Sequence, residues 1–296
     1  MIEQWLTDFL QYLKFEKRYA AHTLTAYSKD LQQFTAYIAG EFEITHPKAI
    51  KHFHIRSWLA SLKDDKHTVS TINRKISSLS SFYKYLLRLS IVEQNPVKLL
   101  HALRKEERLP SYMKEEETDF LLHEIQFDEG FKGATDRLIC DLLYQTGMRR
   151  SELIHLKEQD IEWSLKQIRV LGKGNKERLI PISEELSRSI RFYIEDKKAI
   201  TCDTNGELLV LTSGKPLYAG YVYKIVQKYL GMSTTLSKKS PHILRHTFAT
   251  HLLNKGANIQ AIKELLGHSS LAATQVYTHN NIDKLKEIHK ERHPRG

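Results

Sequence analysis

Residues 241–251 read PHILRHTFATH, and this stretch says more about the protein than any other of its length. On a helix, His242 and Arg245 are three residues apart and lie on one face. An arginine among apolar neighbours costs free energy when buried unless an anion pairs with it. The stretch predicts a helix on which Arg245 and His242 bind an anion together. A helix with incidental polar residues, or a metal pair of His242 and His246, stays open, although no HExxH pattern supports the metal.

A second informative stretch, QTGMRRSEL, spans residues 145–153. Gly147 is expected to end one helix, and Ser151 to cap the next. Arg149 would then be held at the junction of the two helices. The alternative is an ordinary surface arginine in a helical hairpin.

Residues 167–182, QIRVLGKGNKERLIPI, alternate in polarity and break at residues 172–175. Alternation on both sides of a Gly- and Asn-containing break predicts two strands joined by a turn. Lys173 lies at the tip, where it is either an exposed turn lysine or a side chain that reaches into a groove. The glycines do not form a phosphate-binding P-loop, because GxxxxGK[ST] is not met.

The stretch LLGHSS at residues 265–270 contains another predicted helix end at Gly267. His268 is therefore expected at a helix junction, and Tyr277 follows nine residues later. The chain has 14 tyrosines, so spacing alone does not distinguish Tyr277 from a structural tyrosine.

The remaining sequence predicts a mainly helical chain in two domains. Apolar residues at helical spacing predict four helices in the first hundred residues. The fourth carries Arg74 and Lys75, which are either part of a solvated face or DNA contacts.

Residues 103–114 are charged, contain Pro110 and lack periodicity, as is typical of a linker. We expect domains at 1–102 and 115–296, with helices in the second at 115–126, 134–147, 150–157, 184–198, 219–230, 242–254, 258–266, 270–277 and 282–291.

Charge and composition favour a polyanion as partner. The formal net charge is +10, and residues 1–107 carry 16 basic against 11 acidic side chains. The excess is thus shared by both halves, and it favours nucleic acid or an anionic membrane as partner. An ordinary basic soluble protein stays open as the alternative. Cys140 and Cys202 provide no disulfide framework or metal-ligand spacing, and Cys140 is expected in the core. No signal peptide or apolar run long enough for a membrane is evident, so a cytoplasmic protein is expected.

Together the motifs resemble the tyrosine recombinase/phage integrase family. The order TGMRRSEL, GKGNKER, PHILRHTFATHLL and LLGHSSLAATQVYTH matches that family's Arg, Lys, His-x-x-Arg, His, Tyr set. AHTLTAYSKDLQQF and the helix around Asn73–Leu87 are similar to the family's N-terminal DNA-clamping domain, and LKEIHKERHPRG is similar to the tail of the bacterial Xer-type group. The resemblance implies a mainly α fold, with an N-terminal helical, SAM-like DNA-clamping domain and a C-terminal mixed α/β catalytic domain with a small sheet.

The resemblance also implies a role for each catalytic residue. Tyr277 would be the nucleophile that forms a 3′-phosphotyrosine, and Lys173 would protonate the leaving 5′-oxygen. Arg149 and Arg245 would hold the scissile phosphate, and His242 and His268 would complete its pocket. Glu152 matches an acidic position that orients its neighbours. Neither a metal ion nor any other cofactor, nor ATP, would be needed, because the ester stores the bond energy.

The expected function is site-specific recombination that resolves chromosome dimers at cell division. The expected partners are a double-stranded DNA site and further protomers, either copies of this chain or a paralogue, in a tetramer on two paired sites. Activation by a DNA translocase is left open. The alternatives are a phage- or mobile-element-type integrase, a type IB topoisomerase-like enzyme, a non-catalytic DNA-binding protein and a metal-dependent nuclease.

Overall fold

The structure is a computed structural model that describes residues 2–100, 103, 111–172, 176–200 and 206–267. Contacts divide the chain into two compact units, Met1–Arg108 and Leu109–Gly296, and the predicted linker 103–114 contains this division. Among the described residues, no helix combines the length and the apolar character needed to cross a membrane.

The regular elements of the first unit, among its described residues, are all helical. Its helices are α1 (Ile2–Phe15), α2 (Ala21–Phe42), α3 (His52–Asp64) and α4 (Val69–Arg88), with a 3-10 turn at Pro47–Ala49. Apolar stripes at helical spacing meet in one core, where Phe34 packs edge-to-face against Trp58 and Phe9 against Phe82. Burial of each such ring stabilises the fold by about 1.5–3 kcal/mol.

The second unit combines helices with a small sheet. Its helices are α5 (Glu115–Asp119), α6 (Gly130–Thr146), α7 (Arg150–Ile154), α8 (Glu184–Ile200), α9 (Ala219–Ser233), α10 (Pro241–Asn254) and α11 (Ile259–Leu266). A π-helical turn, Phe120–Glu124, follows α5, and a 3-10 turn occupies Glu158–Asp160. The mainly α fold class with one small sheet is therefore confirmed. The predicted helices 270–277 and 282–291 lie outside the described residues.

The sheet is antiparallel, with strands in the order β1 (Ile161–Glu162), β2 (Gln167–Leu171) and β3 (Glu177–Pro181). Ile168 faces both Ile161 and Ile180, so one face of the sheet closes the core. The strand–turn–strand prediction is confirmed, and β1 adds an edge strand that the sequence did not indicate.

The centre of this unit is the nearly all-buried helix α6, against which α8 and α10 pack. Cys140 is fully buried there, as expected. Because α11 also contacts β3, the ends of α6, α11 and the hairpin lie next to α10. The described parts of the stretches singled out in the sequence therefore meet in one region.

Candidate active site

A glycine-dependent turn places Arg149. Helix α6 ends at Gly147, which has a φ of 58°, as the sequence predicted. A Cβ at this position would lie 2.9 Å from Leu266 and closer still to Phe248. Only glycine combines this backbone conformation with such a close approach. The turn therefore brings Arg149 beside both α10 and the end of α11.

Arg149 occupies the N-cap of α7, and the expectation that Ser151 caps this helix is wrong. The helix begins at Arg150, the start of the predicted range 150–157, and the Arg149 backbone N–H donates to Glu152 Oε2 at 2.6 Å. The Arg149 guanidinium donates to Glu152 Oε1 at 2.8 Å and to the Gly267 carbonyl at 3.0 Å. The Arg149 side chain is 31% exposed, so the guanidinium is accessible to solvent although these hydrogen bonds fix its orientation.

Glu152 is a buried carboxylate shared by two arginines. Besides Arg149, it accepts both arms of the Arg178 guanidinium, at 2.9 and 2.7 Å. Burial alone would raise the pKa of Glu152, but the hydrogen bonds and charge of Arg178, with those of Arg149, hold this pKa below its ordinary value. Glu152 is therefore ionised at neutral pH, and its contacts agree with the expected orienting role.

Arg245, on α10, is more deeply buried than Arg149. It is 9% exposed and donates to the carbonyls of Gly147 and Leu266, both at 2.6 Å. Burial, with the nearby positive charges of Arg149 and Arg178, lowers the pKa of Arg245 to about 10. A cluster of three guanidinium groups around one carboxylate has an excess of positive charge, which an anion such as phosphate would offset.

The three histidines of α10 have different surroundings. His242 is exposed in the first turn of the helix, and His246 is half-buried. His251 is buried, with its ring nitrogens 3.0 Å from the Tyr144 hydroxyl and 2.8 Å from the Met113 carbonyl. The residues that the structure describes contain no group of three His, Cys, Asp or Glu side chains suited to a metal ion. The described residues therefore provide no third ligand for a metal ion bound by His242 and His246.

Three predicted site residues, Lys173, His268 and Tyr277, lie outside the described residues. The described residues next to Lys173 and His268, which are Gly172 and Gly267, adjoin the arginine cluster. The Gly172 N–H donates to the Lys176 carbonyl at 2.8 Å and so closes the hairpin. Gly267, with a φ of 63°, ends α11 as expected and accepts from Arg149.

The predicted DNA contacts, Arg74 and Lys75, lie on α4 of the first unit. Both form ion pairs with Asp30, which is 1% exposed. The Arg74 side chain remains 42% exposed, whereas that of Lys75 is 5% exposed and also bonds to Gln33. Burial of Lys75 weighs against a direct phosphate contact by its ammonium, while Arg74 borders solvent.

Arg178 is a site residue that the sequence interpretation missed. It is 4% exposed and lies on β3 two residues before Ile180, so the two side chains point to the same, inward face. An arginine on the inward side of an alternating strand indicates a buried ion pair, and this signal was present in the sequence. Its partner Glu152 precedes it by 26 residues, and no local pattern links the two.

Comparisons with known proteins agree with this architecture. Residues 111–284 match the phage integrase family, and residues 6–89 match the phage integrase N-terminal SAM-like domain. Tyrosine recombinase XerC of Halalkalibacterium halodurans is 38% identical, with 99% of this chain and 98% of that protein covered. Tyrosine recombinase XerC of Staphylococcus haemolyticus is 37% identical, with 100% and 98% covered.

Solved structures resemble the fold. The XerH site-specific recombinase bound to palindromic difH substrate, a post-cleavage complex, superimposes with a TM-score of 0.73 at 20% identity, covering 98% of this chain and 82% of that chain. The Tn1549 transposon integrase in complex with transposon right end DNA gives a TM-score of 0.71 at 20% identity, covering 96% and 94%.

The helical first unit and the small sheet agree with the fold of tyrosine recombinases. The relatives and the matched family define the class of protein as a tyrosine site-specific recombinase, an enzyme that cleaves and rejoins DNA through a tyrosine. The chain belongs to the phage integrase family and, within it, to the Xer-type tyrosine recombinases. The predicted family, fold class and enzyme class are thereby confirmed. The roles of the individual site residues stay predictions.

Proposed function

We propose that this protein recombines DNA at a specific site through a 3′-phosphotyrosine on Tyr277, and that the reaction resolves chromosome dimers at cell division. The observation that carries the proposal is Arg245, a buried cation held by two carbonyls beside Arg149 and Arg178. Two forked guanidinium groups, those of Arg149 and Arg245, would grip the non-bridging oxygens of a scissile phosphate and stabilise the charge of the transition state.

The remaining roles follow from the chemistry of phosphodiester transfer. The Tyr277 hydroxyl attacks phosphorus, a P–O bond forms to tyrosine, and the bond to the 5′-oxygen breaks. Lys173 gives the departing oxygen its proton. Of the two pocket histidines, one accepts the proton that the Tyr277 hydroxyl loses, and His242 and His268 otherwise donate hydrogen bonds to the phosphate. A 5′-hydroxyl from the partner strand then reverses the sequence, so the ester conserves the bond energy and the reaction consumes no ATP.

The proposed assembly contains four protomers on two paired double-stranded sites, because exchange involves four strands. The protomers are copies of this chain or of a paralogue, and a DNA translocase is a candidate activator.

Domain 1–102, joined by the linker 103–114 to the catalytic domain 115–296, would hold the DNA together with that domain, and Arg74 would contact the DNA. Such a reaction on chromosomal DNA is expected in the cytoplasm.

The test is covalent trapping on a nicked suicide substrate, whose small 3′ fragment diffuses away after cleavage. We expect an SDS-resistant protein–DNA adduct that forms equally well in excess EDTA. Loss of cleavage in EDTA, restored by one divalent ion, would contradict the proposal and support the metal-dependent nuclease. Relaxation of supercoiled DNA at any sequence, without strand exchange, would instead support the type IB topoisomerase-like alternative.

A further inference from the structure

We propose that Arg178 is a positioning residue for the reaction. It orients the Arg149 guanidinium through Glu152, and it attaches the hairpin that carries Lys173 to the same Glu152 carboxylate. The inference rests on the proposed function, in which Arg149 binds the scissile phosphate. Arg178 itself is 4% exposed, so it acts through its neighbours and has no access to DNA.

The first link joins β3 to α7. The Arg178 guanidinium meets Glu152 in a fork, with Nη1 2.9 Å from Oε1 and Nη2 2.7 Å from Oε2. Two parallel bonds fix both the distance and the plane of the carboxylate. A lysine has a single ammonium and cannot reproduce this geometry.

The second link passes from Glu152 to Arg149. The same two carboxylate oxygens accept from the Arg149 side chain at 2.8 Å and from its backbone N–H at 2.6 Å. The carboxylate therefore fixes both the start of α7 and the direction of the Arg149 guanidinium. Without the Arg178 bonds, the Glu152 carboxylate could rotate. The Arg149 guanidinium would then keep its charge but lose its fixed orientation.

The third link joins β3 to the end of α11. Arg178 Nε donates to the Leu265 carbonyl at 2.7 Å, two residues before Gly267. Arg178 packs tightly on Gly267, where an added Cβ would lie 3.3 Å from it, and it also lies next to Gly172, where an added Cβ would contact it at 3.5 Å. Gly172 and Gly267 directly precede Lys173 and His268 in the chain. One buried side chain thus joins the segments leading to three predicted catalytic residues.

The test compares Arg178→Lys with Arg137→Lys, in the full-length protein. Arg137 makes the same kind of guanidinium-to-carbonyl bond, to Leu122, at 3.1 Å and away from the site. At saturating protein on the suicide substrate, Arg178→Lys should lower the single-turnover rate of adduct formation roughly 10–100-fold, as expected when a reacting group is slightly misplaced. The Kd for the DNA site should change less than about threefold, and Arg137→Lys should cleave at the wild-type rate.

A double-mutant cycle separates positioning from a general structural effect. The partner change is Arg149→Lys, which keeps a positive charge and hence a measurable rate. If Arg178 acts largely through Arg149, adding Arg178→Lys to Arg149→Lys should slow cleavage much less than Arg178→Lys slows the wild type, and only its effect on the hairpin should remain. Should Arg178→Lys unfold at the assay temperature, Glu152→Gln replaces it in the cycle, because it breaks the same link and leaves the bond to Leu265 in place.

Two outcomes would overturn the inference: wild-type cleavage by Arg178→Lys, or losses that multiply in the double variant. Both leave the proposed function intact, because they require a wild-type protein that forms the adduct. Failure of the wild-type protein to form any adduct would instead contradict the proposed function itself.

Discussion

At the scale of single residues, Glu152 makes the stability of the catalytic unit depend on pH. Its pKa in the folded protein is below the ordinary value of 4.5, because its hydrogen bonds and ion pairs with the arginines outweigh the effect of burial. A carboxylate with a lowered pKa contributes stability that is fully present above the unfolded-state pKa. That contribution is lost as the pH falls through the lower, folded-state pKa.

We therefore expect Glu152→Gln to be less stable than the wild type by roughly 1–3 kcal/mol at neutral pH, since two arginines lose a charged acceptor. The difference should be constant above about pH 5 and shrink steadily below it. Urea unfolding of both proteins from pH 3 to pH 8 measures this. A stability difference that grows on acidification would contradict the ionised, arginine-paired Glu152.

Lys173 offers the sharpest test of proton transfer. If it protonates the leaving oxygen, Lys173→Ala should slow cleavage by roughly 10²–10⁴, the usual contribution of general acid catalysis. A substrate with sulfur at the bridging 5′ position releases a good leaving group without protonation and should restore the rate. Single-turnover kinetics on both substrates decide the matter, and an equally slow sulfur substrate would assign Lys173 another role.

At the scale of elements, the turn at Gly147 holds α6, α10 and α11 together. Gly147→Ala should destabilise the catalytic unit by at least about 2 kcal/mol, because an L residue is strained at a φ of 58° and its Cβ would press on Leu266 and Phe248. Gly231→Ala is the matched control in α9, where an added Cβ meets nothing within 4 Å. It should raise stability by about 0.5–1 kcal/mol, as helical alanine does.

Denaturant unfolding of the two alanine variants gives the comparison directly. Equal stabilities would show that the Gly147 turn tolerates a side chain. In that case the account of how Arg149 reaches its place beside α10 would be wrong.

The elements show why the sequence predicted some features and not others. The hairpin, the helix ends at Gly147 and Gly267, and the buried Cys140 follow from local patterns, and each was predicted. Strand β1 has two residues, too few for an alternation to be recognised.

Long-range contacts explain the rest. Ser151 has the right chemistry for a cap, but Glu152, held by Arg178 from another element, fixes the start of α7 at Arg150 instead. In the same way, Lys75 looked like a surface cation because its partner Asp30 is 45 residues distant. Pairings of this kind depend on the tertiary fold and leave no periodic signal.

At the scale of the whole molecule, charge is shared between the two halves. The chain has a formal charge of +10, and the basic excess of residues 1–107 accounts for half of it. If both domains contact phosphates, the fragment 113–296 should bind its DNA site much more weakly than the full chain and with a shallower salt dependence. Titrations of both proteins from 50 to 200 mM salt (about a fourfold range, over which counterion release is large) measure the two slopes.

The fragment retains its own hydrophobic core, so its folding is checked by thermal unfolding before the comparison. Equal affinity of the fragment and the full chain would remove the N-terminal domain, and with it Arg74, from the DNA contacts.

The central claim, that Tyr277 becomes covalently joined to DNA, is tested most directly by trapping with Tyr277→Phe. The control is Tyr218→Phe, which removes the hydroxyl of a tyrosine that is 55% exposed in the same unit. The wild type and the control should form an SDS-resistant adduct, and protease digestion should leave the nucleotide on the peptide that contains Tyr277. Tyr277→Phe should bind the same DNA within about threefold, since one hydroxyl contributes little to binding, and should form no adduct. A covalent adduct in Tyr277→Phe, or a labelled peptide that lacks Tyr277, would contradict the account.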